Sequence, residues 1–225
     1  MISFNLTVLF DAQDLNVILQ ANELVTIVYG VSAVVTSATP GLHSSARSEP
    51  PATAWLAFSP IEKNLITWGD NYELYVSRTT EKDGGTIQTF AKTAAVPTAV
   101  VPFLADGVFG KLVDGVLSPG HYGVLNQYNA FNYMTFGLCA ATNPVINGQQ
   151  VGDDINIMSA SIVPLHQNVQ LAPTNSLQVF LQTGTADGMT LPNSIVDVAP
   201  IAFSLGHPNV TIRYNSQTGS FERVN

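Results

Sequence analysis

Met1-Ile-Ser-Phe-Asn-Leu-Thr-Val-Leu-Phe10 alternates strictly: Ile2, Phe4, Leu6, Val8 and Phe10 fall on one side, and Ser3, Asn5 and Thr7 on the other. Successive side chains of a strand point to opposite faces, so this stretch predicts a strand with one face on a core and one toward solvent. It lacks the charged start, continuous apolar stretch and small-residue cleavage site of a signal peptide, which places the expected protein in the cytosol or on a leaderless route of release.

The same period recurs along the chain. Tyr72, Leu74 and Val76 alternate with Glu73, Tyr75 and Ser77; Leu177, Val179 and Leu181 with Gln178, Phe180 and Gln182; Val210, Ile212 and Tyr214 with Thr211, Arg213 and Asn215. Leu24–Val28, Val31–Thr36, Ala54–Phe58, Ile155–Val163 and Ile195–Leu205 are rich in β-branched residues and read as further strands, buried on both faces. Turn signals punctuate them, the clearest being Asn147-Gly148 between Pro144-Val-Ile146 and Gln149-Gln-Val151. A two-residue hairpin turn needs positive φ at both central positions, which these two residues tolerate. The expected fold is all-β, an antiparallel, jelly-roll-like sandwich of many short strands forming a single domain over residues 1–225. One short helix is a candidate over 11–21, where Leu15, Ile18 and Leu19 follow an Asp at helical spacing, with an irregular strand as the alternative. Residues 37–52 have neither periodicity nor apolar content and read as a long exposed loop.

Composition narrows the function. Apolar residues make up 46% of the 225, enough for a packed core, while charged residues reach only 11%. Eight Lys and Arg in a chain of net charge −8 cannot assemble a phosphate-binding surface, so nucleic acid is excluded as a main partner. There is no run of 18 apolar residues, and no membrane span is expected. The single Cys139 sits in Tyr133-Met-Thr-Phe-Gly-Leu-Cys-Ala-Ala141 and reads as a buried structural thiol. The sequons at Asn5 and Asn209 fall inside expected strands and are read as coincidental.

Catalytic and metal signatures are sparse. No nucleophile elbow, glycine-rich phosphate loop, paired-cysteine motif or metalloprotease helix is present. His43, His121, His166 and His207 are isolated, most of them beside Pro or Gly, and read as turn residues. Asp153-Asp154 has oxygen donors nearby but not the spacing of a calcium loop. No cofactor, metal or catalytic residue is assigned, and the enzyme question leans to the negative.

Two segments have the composition of contact sites. Thr67-Trp-Gly-Asp-Asn-Tyr72 sets an aromatic plane beside acceptors and donors, the combination that an amphipathic sugar ring calls for; Trp68, Asp70, Asn71 and Tyr72 are the candidates, against the alternative of a Trp folded back on the core beside an Asx turn. Gly120 to Tyr133 carries an uncharged aromatic and amide cluster, of which Asn126, Tyr128 and Asn129 are the candidates; here the alternative is a strand pair whose tyrosines cap the core. The expected function is lectin-like recognition of neutral glycans by a homo-oligomer whose multivalency strengthens weak single sites. The alternative is a self-assembling structural protein of storage, crystal-forming or coat type, in which the outward residues Tyr75 and Phe180 seed subunit contacts.

Overall fold

The computed structural model describes residues 3–37, 52–79, 84–151, 156–192, 198–204 and 206–224. The Asp153-Asp154 pair, His43 and all of the expected 37–52 loop except its end residues lie outside them. The elements begin with β1 (Ser3–Leu9), α1 (Ala12–Gln20), β2 (Glu23–Ser37), β3 (Ala54–Phe58), β4 (Lys63–Gly69) and β5 (Tyr72–Ser77). Next come β6 (Thr89–Ala94), β7 (Val100–Phe103), β8 (Tyr122–Asn126), β9 (Tyr133–Ala140), β10 (Val145–Ile146) and β11 (Gln149–Gln150). The last are β12 (Ser161–Pro164), β13 (Gln167–Thr183), β14 (Ile201–Ala202), β15 (Asn209–Asn215) and β16 (Ser220–Arg223).

These strands make an all-β, sandwich-like fold in three sheets, ordered β11-β10-β4-β1-β15-β16, β12-β9-β5-β6 and β3-β2-β13-β8-β7, with β14 added to β13. β1 lies inside the first sheet with Phe4, Leu6 and Val8 buried, as its alternation requires. Its outer face carries a polar ladder: Thr67 Oγ1 donates to Asn5 Oδ1 at 2.7 Å, and Asn5 Nδ2 donates to Asn209 Oδ1 at 2.7 Å. Cross-strand pairs of this kind help fix register. One hydrophobic cluster draws on all three sheets, through Leu6 and Ile66, Leu74 and Phe136, and Ile27 and Val169. The Asn147-Gly148 turn joins β10 to β11 with φ of 52° and 81°, as the hairpin signal requires.

Three details differ from the sequence expectation. Leu24–Val28 and Val31–Thr36 are one continuous strand, β2, paired along its length with β13 and accommodating a register shift at Pro173/Leu177, where a proline cannot donate to the ladder. The pairing is antiparallel except for β1 with β15 and β7 with β8, which run parallel. In α1, Ile18 is buried and Leu15 packs on the core, but Leu19 faces solvent.

The outward positions Tyr75 and Phe180 are not available for subunit contacts. Tyr75 is covered by a small second core of Ile87, Cys139, Ile157 and Ala160, and its hydroxyl donates to the Ser159 carbonyl at 2.7 Å. Phe180 packs with Val28, Ala54 and Leu191. In both places a strandless segment of the chain lies across the outer face of a sheet, so alternation marks a second buried layer rather than a wet surface. Cys139 is wholly buried, and burial pushes its thiol up to about 12.

Candidate functional site

Trp68 is 4% exposed. β4 alternates Asn64, Ile66 and Trp68 inward against Lys63, Leu65 and Thr67, and Trp68 lies directly opposite Phe4 of β1. The two rings stack at 5.6 Å, and Trp55 and Phe203 meet the indole edge-on at 5.5 and 5.2 Å. The expected exposed sugar platform at this turn is therefore corrected: Trp68 is a core residue, because its parity in β4 is that of Ile66.

Tyr72 is buried as well. Its hydroxyl lies 3.1 Å from that of Tyr29, and its ring meets Tyr122 at 5.7 Å, so the starts of the two candidate segments do come together, inside the protein. Asp70 and Asn71 are half-buried on the connecting turn, where Asn71 Oδ1 accepts from Thr142 Oγ1 at 3.0 Å and the Asn71 carbonyl accepts from the Ala141 N–H. Burial, the largest cause, raises the pKa of Tyr29, Tyr72 and Tyr122, and the charge of Asp70 pushes each further the same way. Burial keeps these phenols neutral across physiological pH, as a polar seam in an aromatic floor.

That burial has a pH signature. The folded state holds the phenolic protons more tightly than the unfolded chain, whose tyrosines ionise near pH 10. Stability is therefore full below that pH and falls as pH rises above it. Absorbance at 295 nm should show Tyr29, Tyr72 and Tyr122 ionising only together with unfolding. A smooth non-cooperative titration of every tyrosine, with the near-UV dichroism unchanged, contradicts the burial.

Asn126 is also buried, and its role is local architecture. Nδ2 donates to the Val163 carbonyl at 2.9 Å, Oδ1 accepts the Tyr128 N–H at 3.1 Å, and the Asn126 carbonyl accepts the His166 N–H at 2.8 Å. It pins the end of β8 to β12 and sets the start of the 127–132 turn. The expectation that it contacts a ligand is corrected to that of a positioning residue.

The turn it positions is exposed. Tyr128 is half-buried and Asn129 open to solvent, and the rings around them form a continuous aromatic surface. Phe103, fully buried, is the anchor; Tyr128 and Phe109 pack on it at 5.4 and 5.1 Å, and Phe90 edge-on at 6.2 Å. Tyr128 in turn meets Phe131 at 6.0 Å and Phe90 at 6.4 Å. Phe90 and Phe131 remain 41% and 45% exposed, and Tyr133, beginning β9, 47%. The guanidinium carbon of Arg78 sits 4.0 Å over the Phe90 ring and 5.6 Å from that of Phe131, within cation–π range of both. Asn129 and Asn132 supply exposed amide groups beside the rings.

Of the residues read from sequence, Tyr128 and Asn129 belong to this surface and Trp68, Tyr72 and Asn126 are interior. Arg78, Phe90 and Phe131 were not singled out. Phe131 stood within the quoted segment, but Arg78 and Phe90 come from β5–β6 and reach the patch only through pairing that no local motif announces. Among the described residues no group of three or more His, Cys, Asp or Glu gathers as a metal site. No helix among them is long and apolar enough to cross a membrane. Comparison with protein families, with curated proteins and with solved structures finds no match to this chain.

Proposed function

We propose that this protein is a non-enzymatic, lectin-like binding protein that takes carbohydrate on the surface formed by Phe90, Tyr128, Asn129 and Phe131. The reading is carried by one observation: large aromatic rings left open to water around a rigid buried anchor, Phe103, with amide side chains at their edge. Sugar C–H faces pack on such rings, and hydroxyls bond to amides and phenols, which is the division of labour in polar-ligand sites generally. The Tyr/Asn turn offers hydrogen-bonding partners to sugar hydroxyls, and a homo-oligomer would multiply weak contacts.

A glycan array followed by titration of the best hit tests this. Phe131→Ala should weaken binding roughly five- to tenfold, the worth of one aromatic contact, while its melting temperature stays close to that of the parent. An array with no hit at high protein density removes the proposal.

A second reading, self-assembly, is favoured by the loop after β7, where Val108, Leu112, Val113 and Val116 are each at least 40% exposed. Several large apolar side chains left exposed along one loop are the kind of surface that contact sites use. Size-exclusion chromatography separates the two readings: large assemblies indifferent to sugar support assembly, and a small defined species retained on a sugar matrix supports recognition.

A further inference from the structure

We infer that the sugar taken by the aromatic surface carries a carboxylate, read by Arg78. The inference rests on the carbohydrate-binding role proposed above and names the class of ligand. Arg78 follows β5 at Ser77, and its neighbour across the sheet, β6, brings Phe90 beneath the guanidinium at 4.0 Å, while Phe131 closes in at 5.6 Å from the 127–132 turn. The guanidinium is centred over the Phe90 ring and makes no hydrogen bond to another described residue, so its donor fork is left for a ligand.

The side chain is also held in place before any ligand arrives. An exposed arginine normally has many rotamers to lose on binding; one clamped by two rings has fewer, so more of the interaction energy appears as affinity. Among the described residues Arg78 has no ion-pair partner, the ion pair among them being Arg213 with Asp11, which flank strands of the first sheet while Arg78 follows a strand of the second. In a chain with eight Lys and Arg and a net charge of −8, a cation set on an exposed aromatic surface needs a reason. Asp106 precedes Gly107, whose added Cβ would lie 3.5 Å from the Tyr128 ring and 3.7 Å from that of Phe90.

A planar carboxylate matches the fork with two parallel N–H···O bonds and brings one charge against one. Uronic and sialic acid residues join that group to a sugar ring whose C–H face can lie on Phe131. A neutral sugar uses the rings but leaves the fork idle.

The test is a set of isosteric probes: methyl uronides of gluco, galacto and manno configuration, each against the corresponding methyl hexoside, titrated by calorimetry or ligand-observed NMR. The expected result is tighter binding of one uronide than of its hexoside by about tenfold or more, the range for a charge-assisted hydrogen-bonded pair, with the difference shrinking as salt rises. Arg78→Ala should bring the two affinities together. Arg78→Lys, which keeps the charge and loses the fork, should recover only part of the difference, with thermal melts showing that both variants fold. Equal binding of uronide and hexoside, or an Arg78→Ala variant that keeps the preference, overturns the inference and leaves the carbohydrate proposal standing. Preference for a sulfated sugar over the uronide also overturns it. Binding of none of the probes, together with a silent array of neutral and acidic glycans, overturns both.

Discussion

Replacing Trp68 with Ala should cost about 3–5 kcal/mol, the usual range for deleting a buried large aromatic. In a chain of this size that lowers the melting temperature by roughly 6–20 °C. The reason lies in what the indole touches: Phe4 on its face, and Trp55 and Phe203 on its edges, in the seam between the first and third sheets. A cavity there has rigid walls, since each neighbour is itself an aromatic ring held by a strand or a buried contact. A milder variant sharpens the point. The Trp68 Nε1 proton is buried and directed toward the Tyr29 hydroxyl, whose pKa it lowers against the larger effect of burial. Trp68→Phe keeps an aromatic ring against Phe4 and loses only part of the buried volume, so its cost should be clearly smaller than that of Trp68→Ala. Chemical denaturation of both variants checks the pair. A Trp68→Ala protein as stable as the parent would restore this residue to the surface.

Gly137→Ala is expected to be comparably severe, for a steric reason. A Cβ at this position in β9 would lie 1.9 Å from the Ser159 carbonyl oxygen and 2.7 Å from the Tyr75 ring. The 156–160 segment is tied down on both sides of that contact: Met158 N–H donates to the Leu138 carbonyl at 2.8 Å, Ala140 N–H to the Asn156 carbonyl at 3.0 Å, and Ser159 Oγ accepts the Leu138 N–H at 3.1 Å. A methyl group must therefore push backbone away and break the Tyr75 hydroxyl bond to Ser159, with overpacking and a lost buried bond adding to about 3 kcal/mol or more. The variant should also expose Cys139, which sits in the same small core. Reaction with a thiol reagent under native conditions reads this directly: the parent is inert and the Ala variant is modified. An unreactive variant of parental stability would show that the segment moves at no cost.

The alternation in Met1–Phe10 told the location of Phe4, Leu6 and Val8 because a strand has only two faces. The same argument, applied to β4, places Trp68 beside Ile66 and so inside; it is the neighbouring Gly, Asp and Asn, belonging to the turn, that made this residue look exposed. Tyr75 and Phe180 failed differently. Period two separates the faces of a sheet but cannot say that a second layer will cover the outer one, and here irregular segments do so in both places. The aromatic surface was half legible. Tyr128 and Asn129 are neighbours in the chain, but Arg78 and Phe90 join them only once β5, β6 and β9 are in register, and no local pattern encodes that register.

β1 pairs in parallel with β15, Asn5 beside Asn209 and Leu9 beside Arg213. Some two hundred residues must thus leave the ribosome after the first strand before its neighbour exists, which at ordinary elongation speeds is roughly 10–40 seconds. During that interval an apolar ribbon has one flank unmatched and is open to wrong partners. Such long-range closure makes for a late, slow assembly step. Exchanging the order of synthesis by circular permutation, so that these two ribbons emerge close together, would shorten the vulnerable interval without altering a single contact in the finished molecule.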